Sequence, residues 1–430
     1  MPDSAPAPAE FRRRVLAGLN DPYPVYRAYL GAGVLHPVPP PGPAHRREWL
    51  VFGHEEAVVV LAGRGFGRET RPPDHAVGAD RADSGAPGPV PPGHPRLAAL
   101  LEDWLTFMDP PRHTRVRSVV AGCLARRMRA GVRARLRENA QSVVERLAKE
   151  PGFDLVDEYA AVLPVLAVLD VLGVPGADQE WLRGQVACLR PAASAAAARR
   201  DLRGTGLAIA ERAAGALTEY FRTALARRRR EPRRDLLSLL LAAPWEEDLA
   251  GGPAKEDLLV ATCVHLLSAG HETAAAALAK SALLLLRDPE LLAGLRTRRD
   301  MTAAAADEFL RFDSPVQAVC RWAQQDEEVA GHRIARGEKV TVVLGAANRD
   351  PAAFTEPDSL RFDRDSHRHL GFGMGGHYCL GAALARAVLE TGIDGLLDLL
   401  PGLSPPAGPL PYRDDLACHG PLSLPVTRVV

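Results

Sequence analysis

The chain has 430 residues and 47% of them are hydrophobic, enough for a deep core in one large fold or in two to three average domains. Lysine plus arginine and aspartate plus glutamate each number 53, so overall charge gives no attraction for nucleic acid or an anionic membrane. The six cysteines (123, 188, 263, 320, 379 and 418) lack framework spacing and no segment has the apolar length of a signal peptide or membrane anchor, so a soluble, cytoplasmic protein is expected.

Residues 1–20 are polar and proline-rich at their start and read as an extension without fixed structure, with a single domain over 21–430. Asp21-Pro22 opens an expected helix over 21–35, with Val25, Tyr29 and Leu30 on one side. Trp49 to Phe52 reads as a short strand and 55–61 as helix. From Arg71 to Arg96 proline and glycine dominate; helices resume afterwards without a change of character, which favours a loop within one domain. Asp109-Pro110-Pro111 then starts a helix that carries His113 and Arg117 on one face. Arginines 126, 127, 129, 133, 135 and 137 follow, and such a run ordinarily means a solvated helix face. Further helices are expected at 132–148, 158–173, 178–189 and 199–230, with Pro191–Ala197 either a mobile connector or an alanine-rich helical extension.

The stretch Asp257 to Leu286 would form a helix about 45 Å long. It is apolar nearly all round and therefore buried, and His271 and Glu272 in its middle argue against a membrane span. Ala269-Gly270-His271-Glu272-Thr273 lies at its centre. Gly270 and Thr273 can loosen the helix ladder there and leave carbonyls free for water or a ligand. The plainer alternative pairs Glu272 with a distant arginine and turns Thr273 back onto a helix carbonyl. Glu308-Phe-Leu-Arg311 places a charge pair three apart on the next long helix, a feature that alone stabilises a helix by only about 0.2–0.5 kcal/mol. Ser314-Pro315 ends that helix, Arg321 follows, and 328–344 reads as short strands. A helix over 380–399 and terminal strands over 410–430 complete the chain.

Between them lies His369-Leu-Gly-Phe372-Gly373-Met-Gly375-Gly376-His377-Tyr-Cys379-Leu-Gly381. Glycines let backbone approach a large flat ligand, and a helix beginning just after Cys379 adds its positive end to a thiolate. Several readings of this loop stay open on its own residues. Cys379 could be an axial haem ligand. His369, His377 and Cys379 could bind zinc, although no Cys-x-x-Cys supplies a partner. Gly371, Gly373 and Gly376 formally match a phosphate loop, but Asp365 to His369 is polar where a strand should precede. A buried structural cysteine is the bland case.

Three motifs carry a resemblance. Phe372, Gly373, Gly375, His377, Cys379 and Gly381 fit F-G-x-G-x-H-x-C-x-G; Ala269, Gly270, Glu272 and Thr273 fit A-G-x-E-T; Glu308 and Arg311 fit E-x-x-R. In this order and spacing, from about residue 20 onward, the chain resembles a cytochrome P450 of the soluble bacterial type. The resemblance implies a mainly α fold with a small β region, a long central helix and a haem-thiolate loop. Cys379 would be the fifth ligand of haem b, within a loop shaped by Phe372, Gly373 and Gly381. His113, Arg117, Arg321 and His377 would hold the propionates, since buried carboxylates demand cations. Ala269 and Gly270 would lie over the distal face, Thr273 would hydrogen-bond dioxygen there, and Glu272 would join the proton relay. Glu308 and Arg311 would be structural, locking the cysteine loop through Arg361, with Arg364 as a substitute.

The activity so implied is monooxygenation: one oxygen atom from O2 enters a hydrophobic small molecule, by hydroxylation or epoxidation, in secondary-metabolite tailoring. Electrons would come from NAD(P)H through a ferredoxin-type donor and its reductase, docking on the arginine-rich segment of a monomer. No nucleic acid or membrane partner is implied. Substrate-facing positions would be His265, Ser268, Val316, Val319 and Leu422, together with the 71–100 loop and the 178–210 region. A peroxide-driven enzyme and a non-catalytic haem protein are the alternatives; the retained Glu272 and Thr273 speak against both.

Overall fold

The computed structural model describes residues 7–40, 46–68, 90–91, 93–129, 131–198, 205–246, 253–364 and 368–428. Its α-helices are α1 (Phe11–Ala17), α2 (Tyr23–Ala32), α3 (His54–Ala62), α4 (Pro95–Glu102), α5 (Arg112–Met128), α6 (Val132–Leu147), α7 (Val162–Leu172) and α8 (Gln179–Ala198). Then come α9 (Thr205–Arg230), α10 (Leu236–Ala242), α11 (Pro253–Arg287), α12 (Pro289–Thr297), α13 (Thr302–Phe312), α14 (Leu344–Ala347) and α15 (Ala382–Leu399). The strands are β1 (Leu35–Val38), β2 (Glu48–Val51), β3 (Phe66–Gly67), β4 (Gly152–Asp154), β5 (Val319–Ala323), β6 (Glu327–Val329), β7 (His332–Ile334), β8 (Lys339–Val342), β9 (Leu403–Ser404) and β10 (Pro425–Arg428). The expected mainly α architecture with a small β region is what forms.

Helix α11 is the axis of the molecule. Its 35 residues span about 52 Å, and α7, α9 and α15 pack along it. Leu259, Val264, Leu267, Leu278 and Ala282 on it are fully buried. Gly392 lets α15 come close: a Cβ there would stand 2.6 Å from a Leu278 methyl. The β region sits to one side as a five-stranded sheet in the order β1-β2-β8-β5-β3, with β2 and β8 parallel. Turn chemistry follows the sequence. Asp288 caps α12 by accepting the Leu291 N–H at 2.9 Å, with proline at the next position.

One expectation is corrected here, and one open alternative is decided. Residues 7–20 are not an unstructured extension: a short turn, Pro8–Glu10, leads into α1. Phe11 and Val15, four apart and so on one face, are buried. Phe11 meets Tyr29 and Phe52 edge-on at 5.4 and 5.3 Å. Residues 1–6 lie outside the described residues. Helix α8 also runs unbroken through Pro191 to Ala198, so the alanine-rich stretch extends a helix and is not a connector. Residues 199–204, and 69–89 within the expected loop, lie outside the described residues; the end of that loop is α4.

Candidate active site

A cavity of about 230 Å3 lies between α11 and the cysteine loop. Ala269 and Thr273 line it from above, Phe372, Gly373, His377 and Cys379 from below, and Val316, Val319 and Arg321 from the β side. Three segments far apart in sequence thus meet on one space.

The loop is held by backbone geometry that the glycines permit. Gly373 and Gly375 have φ of +69° and +70°, and a Cβ on Gly375 would stand 2.4 Å from the Leu61 carbonyl of α3. The Cys379 N–H donates to the Phe372 carbonyl at 2.9 Å, and Asn348 accepts the Leu370 N–H at 2.6 Å. Burial pushes the Cys379 thiol up, while the Gly381 N–H, Arg117 and Arg386 pull it back toward the thiolate. Gly381 is also the residue that caps α15, so the sulfur sits at a helix amino terminus. The Arg386 guanidinium covers the Phe372 ring at 4.5 Å. His369 points the other way, toward Asp307 at 3.5 Å. Among the described residues no group of three His, Cys, Asp or Glu side chains could hold a metal ion, so the zinc reading fails on geometry.

The cations expected around a propionate pair do converge. Arg321 is 5% exposed, and among the described residues its one side-chain hydrogen bond runs from Nη1 to the neighbouring Cys320 carbonyl at 2.9 Å. Burial and the nearby Arg68 pull its pKa down to about 9. The His113 ring lies 4.1 Å from that of His377, and its buried Nε2 has no hydrogen-bond partner among the described residues. Burial, then the charge of His377, holds His113 down to about 4. Arg117 donates to the Tyr378 carbonyl and feels the charge of Cys379. Arg68 was not anticipated: it is buried and donates to the same Cys320 carbonyl as Arg321, at 2.5 Å, and to Thr106 O at 2.8 Å. Nothing in the periodicity around residue 68 announces a buried guanidinium. A buried arginine using one of five donors, beside an orphaned imidazole nitrogen, fits a ligand that brings carboxylates.

Glu308 and Arg311 form a doubly bonded pair, Nε–Oε2 and Nη2–Oε1 both 2.8 Å, at 0–1% exposure. The third member is Arg364, whose Nε reaches Glu308 Oε1 at 3.0 Å. Arg361 was expected there and is corrected. It offers Glu308 only its backbone N–H, at 2.9 Å, while its guanidinium turns out to Glu356 and Asp363. The loop between them carries the guanidinium of the later residue inward.

Thr273 Oγ1 donates to the Ala269 carbonyl at 3.1 Å. Glu272 pairs with Arg190 at 3.0 Å and faces an outer cleft with His271, Arg183 and Arg413. The plainer pairing of these two residues therefore describes their geometry. Gly270 packs on Val168, not on the cavity.

Among the substrate candidates only Val316 and Val319 line the cavity. They also line a second cavity of about 530 Å3, beside Phe11, Leu16, Leu416 and Ala417. Three candidates are corrected. His265 is stacked on Trp104 at 4.9 Å with Nε2 bonded to Thr106 Oγ1 at 2.9 Å, so it is packed into the core. Ser268 is buried away from both cavities. Leu422 is 45% exposed on the outer cleft, because the terminal turn presents Leu416 and Ala417 inward instead.

The cytochrome P450 family model matches residues 207–398. The biotin biosynthesis cytochrome P450 of Bacillus subtilis is 30% identical over 380 residues, covering 88% of this chain and 90% of that one. This chain belongs to the cytochrome P450 family. Mycinamicin IV hydroxylase/epoxidase of Micromonospora griseorubida is 34% identical to this P450 over 392 residues, 89% of this chain and 90% of that one. A solved structure of P450BioI in complex with hexadec-9Z-enoic acid ligated acyl carrier protein superposes with a TM-score of 0.81 at 27% identity, covering 96% of this chain and 99% of that one. The P450 is thus an oxidoreductase of the haem monooxygenase type, and haem is the group that the family's site takes. No described helix is long and apolar enough to cross a membrane.

Proposed function

We propose that this P450 inserts one atom of O2 into a hydrophobic small molecule of secondary metabolism, by hydroxylation or epoxidation. The observation that carries the reading is the meeting of Cys379, Thr273 and Arg321 on one cavity. Haem, when bound, supplies the activation of O2 by a thiolate-ligated iron. The balance is R–H + O2 + two electrons + two protons giving R–OH and water, so the protein must deliver electrons and protons and exclude side reactions.

Cys379 would hold the metal from a loop that Glu308, Arg311 and Arg364 brace. Arg321, His113, Arg117 and His377 would hold the two propionates, and Arg321 would gain the anionic partners that its burial requires. Ala269, with only a methyl, leaves room in the cavity beside Thr273. The Thr273 hydroxyl donates to the Ala269 carbonyl, which leaves its lone pairs free to accept from and hold a water in the cavity that relays the proton. Glu272 takes up protons from the outer cleft and hands them across α11. Val316 and Val319 present apolar surface to the substrate.

Electrons come from NAD(P)H through a reductase and a ferredoxin-type protein, in the cytoplasm, to a monomeric catalytic unit that includes α1. The relative that is a hydroxylase/epoxidase supports the reaction class. The reduced protein with carbon monoxide should show the red-shifted Soret band of thiolate ligation; a histidine-type band would overturn the assignment of Cys379. A screen that follows water loss from ferric iron by its spin-state shift then identifies the substrate.

A further inference from the structure

Lys280 is the one charged residue in the interior of α11 beyond Thr273, and it is 2% exposed. It follows Thr273 by two helical turns, about 10.5 Å along the axis and on the same face. Its ammonium has three N–H donors and three acceptors: Asp313 Oδ1 at 2.7 Å, His419 Nδ1 at 2.8 Å and the Ser314 carbonyl at 3.0 Å. Because His419 Nδ1 accepts, its Nε2 carries the proton and donates to the Leu19 carbonyl at 2.7 Å. Asp313 also accepts from the Tyr23 hydroxyl at 2.7 Å.

These acceptors sit on two segments. The first runs from Asp313 to Val319 and supplies Pro315, Val316 and Val319 to the haem cavity. The second runs from Leu416 to His419 and supplies Leu416 and Ala417 to the larger neighbouring cavity. The two segments are stitched to each other: His419 N–H donates to Pro315 O, and Gln317 N–H to Leu416 O, both at 2.7 Å. Only the Lys280 ammonium ties this pair of segments, through side-chain hydrogen bonds, to the helix that carries Thr273 among the described residues.

We infer that Lys280 is a positioning residue: it sets the distance and angle of the Pro315–Val319 and Leu416–Ala417 wall relative to Thr273, and so the shape of the space a substrate can occupy. It does not touch substrate or haem. The inference rests on the reading of the cavity as the haem site. A conserved-volume change at Lys280 would let the wall move while the cysteine loop keeps its own contacts with Glu308, Asn348 and α3; Asn348 also donates to Ser314 Oγ at 2.9 Å, a bond that does not need the ammonium.

The test compares two iron-directed probes in the holoenzyme. Imidazole is small and reads the iron; 4-phenylimidazole must also fit against the wall. In Lys280→Met, 4-phenylimidazole should bind about tenfold more weakly, while imidazole stays within about twofold and the carbon monoxide band is unchanged. Removing the ammonium leaves Asp313 as a buried charge without it, which can prevent folding. The pair Lys280→Met with Asp313→Asn removes both charges and should regain the thermal midpoint without regaining phenylimidazole affinity. Equal affinity of wild type and Lys280→Met for both probes would overturn the inference. So would equal weakening of both, or full recovery of phenylimidazole binding in the double variant. A histidine-type carbon monoxide band in the wild type would instead remove the haem-thiolate reading itself.

Discussion

Glu272 and Thr273 are neighbours on α11 but open onto different spaces: Thr273 lines the haem cavity, and Glu272 lines the outer cleft with Arg190 and Arg413. The helix wall lies between the acid and the alcohol. In the proposed relay, a proton taken up at Glu272 has to pass α11 before it reaches the Thr273 side.

Replacing Thr273 with alanine should leave haem content and substrate spin shift intact. Product formation should fall by about 100-fold, the lower end of what positioned proton transfer contributes, with the missing electrons recovered as hydrogen peroxide. Parallel assays of NADH consumed, product and peroxide check this, and unchanged coupling would place the relay elsewhere.

Glu308→Ala would leave the guanidiniums of Arg311 and Arg364 facing each other without an anion in a space closed to water. A loss on the order of 3–5 kcal/mol is expected, the range for breaking one side of a buried pair, together with loss of haem during expression. Arg364→Ala should show the same direction, whereas Arg361→Ala should match the wild type in thermal midpoint and haem yield.

Docking of the electron donor is tested by charge reversal on exposed arginines. Arg127 is unsuitable, since it is buried and bonded to Asp170 at 2.8 Å, and Arg133 and Arg135 are engaged by Glu390 and Asp170. Arg126 and Arg129 remain on the surface. Changing both to glutamate should slow reduction by ferredoxin about tenfold at low salt, and the difference should fade once the Debye length drops to about 3 Å near 1 M salt.

Acid should weaken this fold through two buried histidines. Burial holds His265 and His419 down to about 4 from an ordinary value of 6.5. Below pH 6.5 the unfolded chain binds a proton at each that the folded chain refuses, so stability is complete above 6.5 and is lost as pH falls toward 4. Each site accounts for up to about 3 kcal/mol over that window. His265→Phe keeps the stack on Trp104 and should flatten the slope of urea midpoint against pH between 6.5 and 4.

The cysteine loop and the long helix were legible because glycine, cysteine and a buried acid beside an alcohol are costly unless something uses them. Helix bounds followed from caps such as Asp288-Pro289. What stayed hidden was direction. Arg361 and Arg364 look equivalent on the page, and only the path of the loop decides which guanidinium reaches Glu308. Leu422 was expected from the resemblance alone, and the terminal segment presents Leu416 and Ala417 instead. Arg68 and Lys280 had no signal, since a single cation in an apolar context reads as surface until its partners, more than 30 residues away, are known.

The bond between His419 and Leu19 joins residues 400 apart, and β2 waits for β8 across nearly 300 positions. At roughly 5–20 residues per second, the ribosome needs about 20 to 80 seconds to make the partners that close over the first helix. During that interval Phe11, Tyr29 and Phe52 have no roof. Nascent chains of this enzyme thus present an aromatic surface to the cell before any haem site exists, and yield in a foreign host will depend on what shelters that surface.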